Sequence, residues 1–425
     1  MLSAELRDTA RPRPAARRAA RPPESARTLD GLFTRAARRH PRAVVVREGL
    51  HQLSYGKADV LSSRLATALL RTGVQLGDPV VVQCADHRQA LVAHLAVLKA
   101  GGVCVPVPRD VPAGQTAAVA AVSGAGAVLC SLTTHDRWGH GGRFQRLALD
   151  DPELWKRIGA RPLDRALPRS APTEPAYLLT AGEGGLWRSG HLVDHRAWHL
   201  AMAARSAKAG PAGQTVTVAE QPTGPATLSA MWWAFGSGST LHAQPDGFGP
   251  AALGGVVAVC GTGEYPALLD ALAAAPPFSS PRSVLLVGAP CPPALAARHT
   301  EVLPDTALRA EFAPGGSVLP WAVGVFPAGP DASGAPVVGP APGVRLSVRD
   351  VLGDALRAGE VGEVCASGRT LPFDVIGERA AGRPGAPLGS GFGGRWLPDG
   401  ALEITGGPAP AVPAPPSYAR TGRTA

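Results

Sequence analysis

Lysine is scarce in this chain: Lys57, Lys99, Lys156 and Lys208 are the only four among 42 basic residues, so nearly all of its positive charge is arginine. Aromatic residues make up only 5% of the sequence, and none is interleaved with the arginines of the N-terminal stretch to stack on bases. No stretch approaches about 18 uninterrupted apolar residues, which excludes a membrane-spanning helix. The cysteines (Cys84, Cys104, Cys130, Cys260, Cys291 and Cys365) form no C-x-x-C pair and are too dispersed for a disulfide scaffold. They read as buried thiols in apolar runs such as Val103-Cys104-Val105. A G-x-S-x-G elbow is missing, and no other serine or cysteine has a base nearby in sequence, so a hydrolase is unsupported. An H-E-x-x-H pair is missing as well. His191, His195 and His199 are four residues apart and on a helix would share one face, but without a partner acid they read as a solvated helix face. No metal ligand and no catalytic residue is assigned.

The net charge of +9 is concentrated at the start, where Arg7, Arg11, Arg13, Arg17, Arg18, Arg21 and Arg27 alternate with proline and alanine. That stretch lacks the apolar core of a secretion signal and has no aromatic residue among its arginines. It reads as a disordered tail over 1–28, with nucleic-acid binding argued against and a cytoplasmic location expected.

At 425 residues the chain can form two or three cores, and 45% apolar with 18% charged residues is the balance of a folded protein. Its 52 glycines and 43 prolines imply long loops. Leu29, Leu32, Phe33 and Ala36 have the spacing of a helix face, as do Leu61, Leu65, Ala68 and Leu69. Short apolar runs, among them Pro79-Val80-Val81-Val82, Val103 to Val107, Ala127 to Cys130, Val216 to Ala219 and Val284 to Val287, alternate with helix-length segments. The expected fold class is therefore α/β, with two helix-covered, mostly parallel sheets. Past Gly316 the texture changes to proline and glycine with short strands, and Arg395 to Glu403 reads as a hairpin with an Asp-Gly turn. The expected organisation is an α/β core over 29–316, a small β-rich subdomain over 317–407 and a second disordered tail over 408–425.

The glycine-rich segment Leu179 to Gly190 follows a strand and precedes a helical pattern, a position from which backbone N–H groups can face a phosphate. Thr180, Ser189 and Arg188 would supply hydroxyls and a cation, whereas Glu183 would repel a polyphosphate. By itself the segment reads as a plain loop rather than a nucleotide site.

Taken in order, these segments resemble the adenylate-forming superfamily, the acyl-CoA synthetases and the adenylation domains of nonribosomal peptide synthetases, from about Leu29 to Gly407. Leu53-Ser54-Tyr55 is similar to its first core motif. Leu98-Lys99-Ala100-Gly101-Gly102-Val103-Cys104-Val105-Pro106 is similar to its second, LKAGxxYVP. Val338 to Arg345, Val361 to Val364 and Arg395 to Glu403 are similar to later segments in the same order. The resemblance implies the large N-terminal part of that fold, and an activity that joins a carboxylic acid to AMP from ATP with magnesium and then passes the acyl group to a thiol.

The same resemblance exposes departures. Where the family has TSGSTGxPKG, Thr180, Gly182 and Gly185 remain and Arg188 stands for the lysine, while Ala181, Glu183, Gly184 and Trp187 replace the rest. Where it has YGPTE, this chain reads Phe312-Ala313-Pro314-Gly315-Gly316, without the glutamate expected to hold magnesium. Phe392 stands where an aspartate should hold the ribose hydroxyls, Gly407 where a hinge arginine should follow, and Pro225 where an aspartate should hold a substrate amino group. The C-terminal lid domain with its lysine is expected to be missing. Thr180, Gly182, Gly185, Arg188, Phe312 and Pro314 are the nucleotide-binding candidates if binding is retained, with ATP and magnesium as cofactors only in that case. The expected function is a degenerate ligase-like protein with little or no acid-adenylating activity, serving a partner synthetase or carrier protein, or holding a small carboxylic acid or nucleotide. The alternative is a divergent acyl- or aryl-acid adenylating enzyme that borrows a lid from a partner.

Overall fold

The computed structural model describes residues 27–408 apart from 139–144, 161–166, 169, 184–185, 210–214, 245–246, 248–252, 254–255, 276–278, 327–336 and 378–386. Stretches 1–26 and 409–425, which hold most of the two expected tails, lie outside the described residues.

The chain begins with α1 (Leu29–Arg39), β1 (Val44–Glu48), β2 (His51–Ser54), α2 (Tyr55–Arg71), β3 (Pro79–Gln83), α3 (His87–Lys99), β4 (Val103–Pro106), α4 (Ala113–Ser123), β5 (Ala127–Cys130), α5 (Leu132–His135), β6 (Gln145–Ala148) and α6 (Pro152–Gly159). It continues through β7 (Pro175–Glu183), β8 (Leu186–Asp194), α7 (His195–Ala209), β9 (Thr215–Val218), α8 (Pro225–Gly236), β10 (Thr240–Ala243), β11 (Val257–Gly261), α9 (Tyr265–Ala273), β12 (Ser283–Gly288), α10 (Pro293–Val302) and β13 (Ala307–Phe312). The remaining described elements are β14 (Ala322–Phe326), β15 (Val337–Pro340), β16 (Val344–Arg349), β17 (Gly362–Gly368), β18 (Asp374–Gly377), β19 (Leu388–Trp396) and β20 (Leu402–Pro408).

These strands form a nine-stranded sheet in the order β15-β14-β13-β12-β11-β9-β10-β1-β2, a seven-stranded sheet in the order β18-β8-β7-β4-β3-β5-β6, and a four-stranded sheet in the order β16-β17-β19-β20. Pairing is parallel from β1 through β13 in the first sheet and from β7 through β6 in the second, and antiparallel throughout the third. The fold is the α/β arrangement that the alternating apolar runs imply.

Helices α3 and α8 are apolar around almost their whole circumference, which a helix tolerates only when it is covered on all sides. They lie between the two large sheets. Helix α3 packs on β1 of one sheet and on β3 and β4 of the other. From α8, which packs on β9, β11 and β12, the Trp232 indole donates to the Tyr177 hydroxyl on β7 at 2.8 Å. The LKAGG stretch works here as packing chemistry: the Lys99 ammonium, at the buried end of α3, donates to Asp59 Oδ1 (2.7 Å), Ser62 (2.9 Å) and Ser63 (3.0 Å) on α2. Ser54 caps α2 by accepting from the Lys57 N–H (3.3 Å), and the buried Tyr55 hydroxyl donates to the Ser239 carbonyl (2.7 Å). Motif residues at these places therefore join elements of the fold.

The small sheet starts later than position 317. Strands β14 and β15 fold back antiparallel on β13 and extend the nine-stranded sheet, and β18 pairs with β8, so the separate sheet begins with β16 at Val344. The reversal that returns β14 onto β13 is built from Pro314, Gly315 and Gly316, residues that in sequence read as a boundary. Strands β19 and β20 form the expected hairpin, with the Leu397 N–H donating to the Ala401 carbonyl (2.8 Å) across a turn that holds Gly400 at φ +82°. Among the described residues no helix is long and apolar enough to cross a membrane.

Candidate functional site

Ligands of parallel α/β sheets sit outside the carboxyl ends of the strands, where connections diverge to opposite sides. In the nine-stranded sheet that point lies at β9, which leads through α8 to β10 on one side while β11 is its neighbour on the other. Along this edge stand Glu220 after β9, Gly261 at the end of β11, Gly288 at the end of β12 and Phe312 at the end of β13. The Ala313 N–H donates to the Gly288 carbonyl (2.8 Å) and the Trp321 N–H to the Phe312 carbonyl (2.7 Å), which fixes the 312–321 loop against the edge. Inside that loop Ser317 N–H reaches the Pro314 carbonyl (3.0 Å), with Gly315 at φ +62° and Gly316 at φ +77°. Consecutive left-handed residues favour glycine, so a glutamate at 316 would carry backbone strain as well as charge.

Phe312 and Phe392 meet edge-to-face, with ring centroids 5.4 Å apart and planes at 89°. Phe312 also packs at 79° on Trp321, and the three rings belong to the apolar cluster that joins the end of β13 to the four-stranded sheet. The two positions that the resemblance gives to the nucleotide thus pack on each other. The cavity beside β13, lined in part by Arg205, Arg309, Glu311 and Thr370, has a volume of about 10 Å³, room for a single water.

The glycine-rich segment is a hairpin arm rather than an open turn ahead of a helix. Strands β7 and β8 pair antiparallel with Thr180 opposite Gly190, Ala181 opposite Ser189, Gly182 opposite Trp187 and Glu183 opposite Leu186, with an irregularity between Ala181 and Gly182. On its other edge β8 pairs with β18, placing Ser189 opposite Gly377 and Gly190 opposite Ile376. The backbone at Ser189 and Gly190 therefore lies between two strands, where its N–H and C=O groups serve the sheet. Gly185 and the Arg188 side chain lie outside the described residues. The helical pattern inferred after Gly190 starts at His195, because 191–194 complete β8.

This also corrects the reading of the three histidines. His191 belongs to a strand, so it does not share a helix face with His195 and His199, and His191 and His195 are buried rather than solvated. His195 Nδ1 accepts the Leu29 N–H at 3.1 Å, and burial depresses its pKa to about 3, which keeps the ring neutral. A side chain at Gly315 would touch the His191 ring, so the base of the hairpin and the 312–316 turn are neighbours.

Two clusters at this edge had no motif to announce them. Glu220, half-buried, accepts the Thr227 N–H (2.9 Å) in the first turn of α8, the helix that Pro225 begins. Burial, and then the Glu264 carboxylate, raise its pKa to about 7. The helix end where sequence comparison finds Pro225 thus has a carboxylate after all, supplied from five residues upstream. The signal was Gly224: any side chain there would collide with Glu220. Second, Glu311 is completely buried between Arg205 and Arg309, accepting from Arg205 Nε at 3.1 Å and Arg309 Nε at 3.0 Å. Burial opposes its charge, but the two guanidinium groups outweigh burial and hold the carboxyl below its ordinary range. Arg205 also donates to the Ser229 carbonyl (3.1 Å) and lies over the Trp233 ring, which ties α7, α8 and β13 together.

Comparison with known proteins decides what this arrangement belongs to. The family model described as AMP-binding enzyme matches residues 33–179. Phosphinothricin tripeptide synthetase PhsB of Streptomyces viridochromogenes is 29% identical over 407 residues, covering 89% of this chain and 33% of PhsB. The chain belongs to the adenylate-forming superfamily. Its counterpart PhsC is 32% identical over 225 residues, 52% of this chain and 20% of PhsC, so the chain spans a third or less of these curated relatives. Among solved structures, the N-terminal subdomain of Klebsiella oxytoca NpsA in complex with 3-hydroxyanthranilyl-AMSN superposes with a TM-score of 0.72 at 16% identity, covering 89% of this chain and 99% of that one. NpsA is also known artificially fused to ThdA as an adenylation-PCP di-domain. Within the superfamily, the described residues correspond in fold to the N-terminal part of an adenylation domain.

Proposed function

We propose that this protein is an adenylation-type fold with little or no acid-adenylating activity, retained to bind a partner synthetase or carrier protein. The observation that carries the reading is the contact between Phe312 and Phe392. An anionic acid attacks an anionic α-phosphate only where cations and hydrogen-bond donors already face the developing charge. The residues at this corner do not fit ATP with magnesium: the Phe392 ring, packed on Phe312, stands where the family's aspartate holds the ribose hydroxyls, and the left-handed Gly316 stands where a magnesium carboxylate would be. The N–H groups at Ser189 and Gly190 are taken up between β7 and β18. The partner role is supported by the company that relatives keep, since NpsA is known artificially fused to ThdA as an adenylation-PCP di-domain.

ATP–pyrophosphate exchange with the full chain, over a panel of aliphatic, aryl and amino acids, tests the loss of activity. Exchange at the protein-free rate is expected. Exchange clearly above it, reduced in Arg188→Ala, would overturn the reading in favour of a divergent enzyme with Arg188 as its main cation. A peptidyl-carrier domain titrated against the immobilised chain tests the partner role, with saturable binding expected and its absence counting against that role.

A further inference from the structure

At the opposite edge of the seven-stranded sheet, three elements turn arginines into one cavity of about 400 Å³, within the span of roughly 300–1,000 Å³ common for small-molecule pockets. Arg64 and Arg71 come from α2, where the intervals 64, 67, 68 and 71 put the lining residues on one helix face. Arg157 comes from α6, with Leu154 and Ile158 on the same face, and Arg146 from the edge strand β6. No carboxylate is found among the described lining residues. Several arginines elsewhere face acids, among them Arg205 with Glu311, Arg88 with Asp86 and Arg395 with Glu403. Among the described residues the Arg64 Nε is buried without a hydrogen-bond partner, and Arg146 donates to the His135 carbonyl at 3.5 Å. A buried donor without an acceptor costs stability.

We propose that this cavity binds a small molecule carrying two or more phosphate or carboxylate groups on a compact body. Planar guanidinium forks match the paired oxygens of both groups, and several forks from different elements select for a multiply charged ligand over a singly charged one. Such a ligand would face the guanidinium groups that line the cavity, while Leu154 and Ile158 pack on its apolar portion. The cavity shares no residue with the edge around Phe312, Glu220 and the β7–β8 hairpin, so this inference stands whether or not ATP chemistry survives there.

Isothermal titration of the full chain with fructose 1,6-bisphosphate and, separately, with citrate, at matched ionic strength, tests it and tells phosphate from carboxylate ligands. One-to-one binding of at least one probe is expected, with glucose 6-phosphate at least about tenfold weaker, as expected when one charge-assisted contact is lost. The Arg64→Gln/Arg146→Gln double variant should bind about tenfold or more weakly, and so should Arg157→Glu, whose exposed position leaves folding intact. Arg188→Ala should bind as the parent does. No binding of either probe at about 1 mM, equal binding by parent and cavity variants, or loss in Arg188→Ala would overturn the proposal.

Discussion

The Phe312 ring at the end of β13 receives the Phe392 ring of β19 edge-on at 5.4 Å, and through this contact the small sheet closes on the carboxyl edge of the large one. Aromatic pairs of this geometry contribute about 0.5–1.5 kcal/mol beyond the area they bury. In a double-mutant cycle with Phe312→Leu and Phe392→Leu, urea unfolding should show a coupling of about 1 kcal/mol. Additivity of the two substitutions would mean that the rings merely lie near each other.

Lys99 anchors α3 to α2 rather than serving a ligand, so Lys99→Met should cost about 2–4 kcal/mol in urea unfolding, since Asp59 loses its cation and two serine hydroxyls lose a donor. A loss below about 0.5 kcal/mol would show that the cluster is a surface pair of little value.

Glu220 makes stability depend on pH. Its folded pKa, about 7, lies above the ordinary carboxylate value, so the folded state binds its proton more tightly than the unfolded chain does. The stabilisation is complete below the unfolded value and is lost as pH rises through 7. Glu220→Gln should therefore match the parent near pH 5 and exceed its stability at pH 8 by on the order of 1 kcal/mol, measured by thermal unfolding at both pH values. A variant less stable than the parent at pH 8 would contradict this.

His94, buried against Tyr177, has the opposite sign. Burial lowers its pKa to about 3, so the unfolded chain takes up a proton that the folded protein refuses, and stability falls as pH drops from 6.5 towards 3. His94→Leu should flatten that decline between pH 7 and pH 4, read as a shallower fall in unfolding midpoint. An unchanged slope would assign the acid limb to other groups.

The fold was legible because its signals are local. Apolar runs such as Val80 to Val82 and Val103 to Val105 are strands buried on both faces, and their alternation with helical spacings determines a parallel architecture. The edge of the small sheet was not legible, since Pro314, Gly315 and Gly316 read equally as a linker and as the reversal that sends β14 back along β13. At the site, the loss of polar residues at 316 and 392 was visible in sequence, but the packing of Phe392 on Phe312 depends on β13 and β19 meeting across 80 residues. Glu220 and the Arg205–Glu311 pair were hidden for the same reason: each takes its character from partners distant in the chain or from burial, neither of which leaves a periodic trace. His191 was misplaced because four-residue spacing fits a helix even where a strand ends and a helix begins.

Titration calorimetry of ATP with magnesium into the Arg64→Gln/Arg146→Gln variant, which removes the competing attraction of the arginine cavity, tests the central claim most directly. The closed Phe312–Phe392 corner predicts heats no larger than dilution up to about 1 mM nucleotide. Saturable one-to-one binding that Arg188→Ala weakens would contradict it.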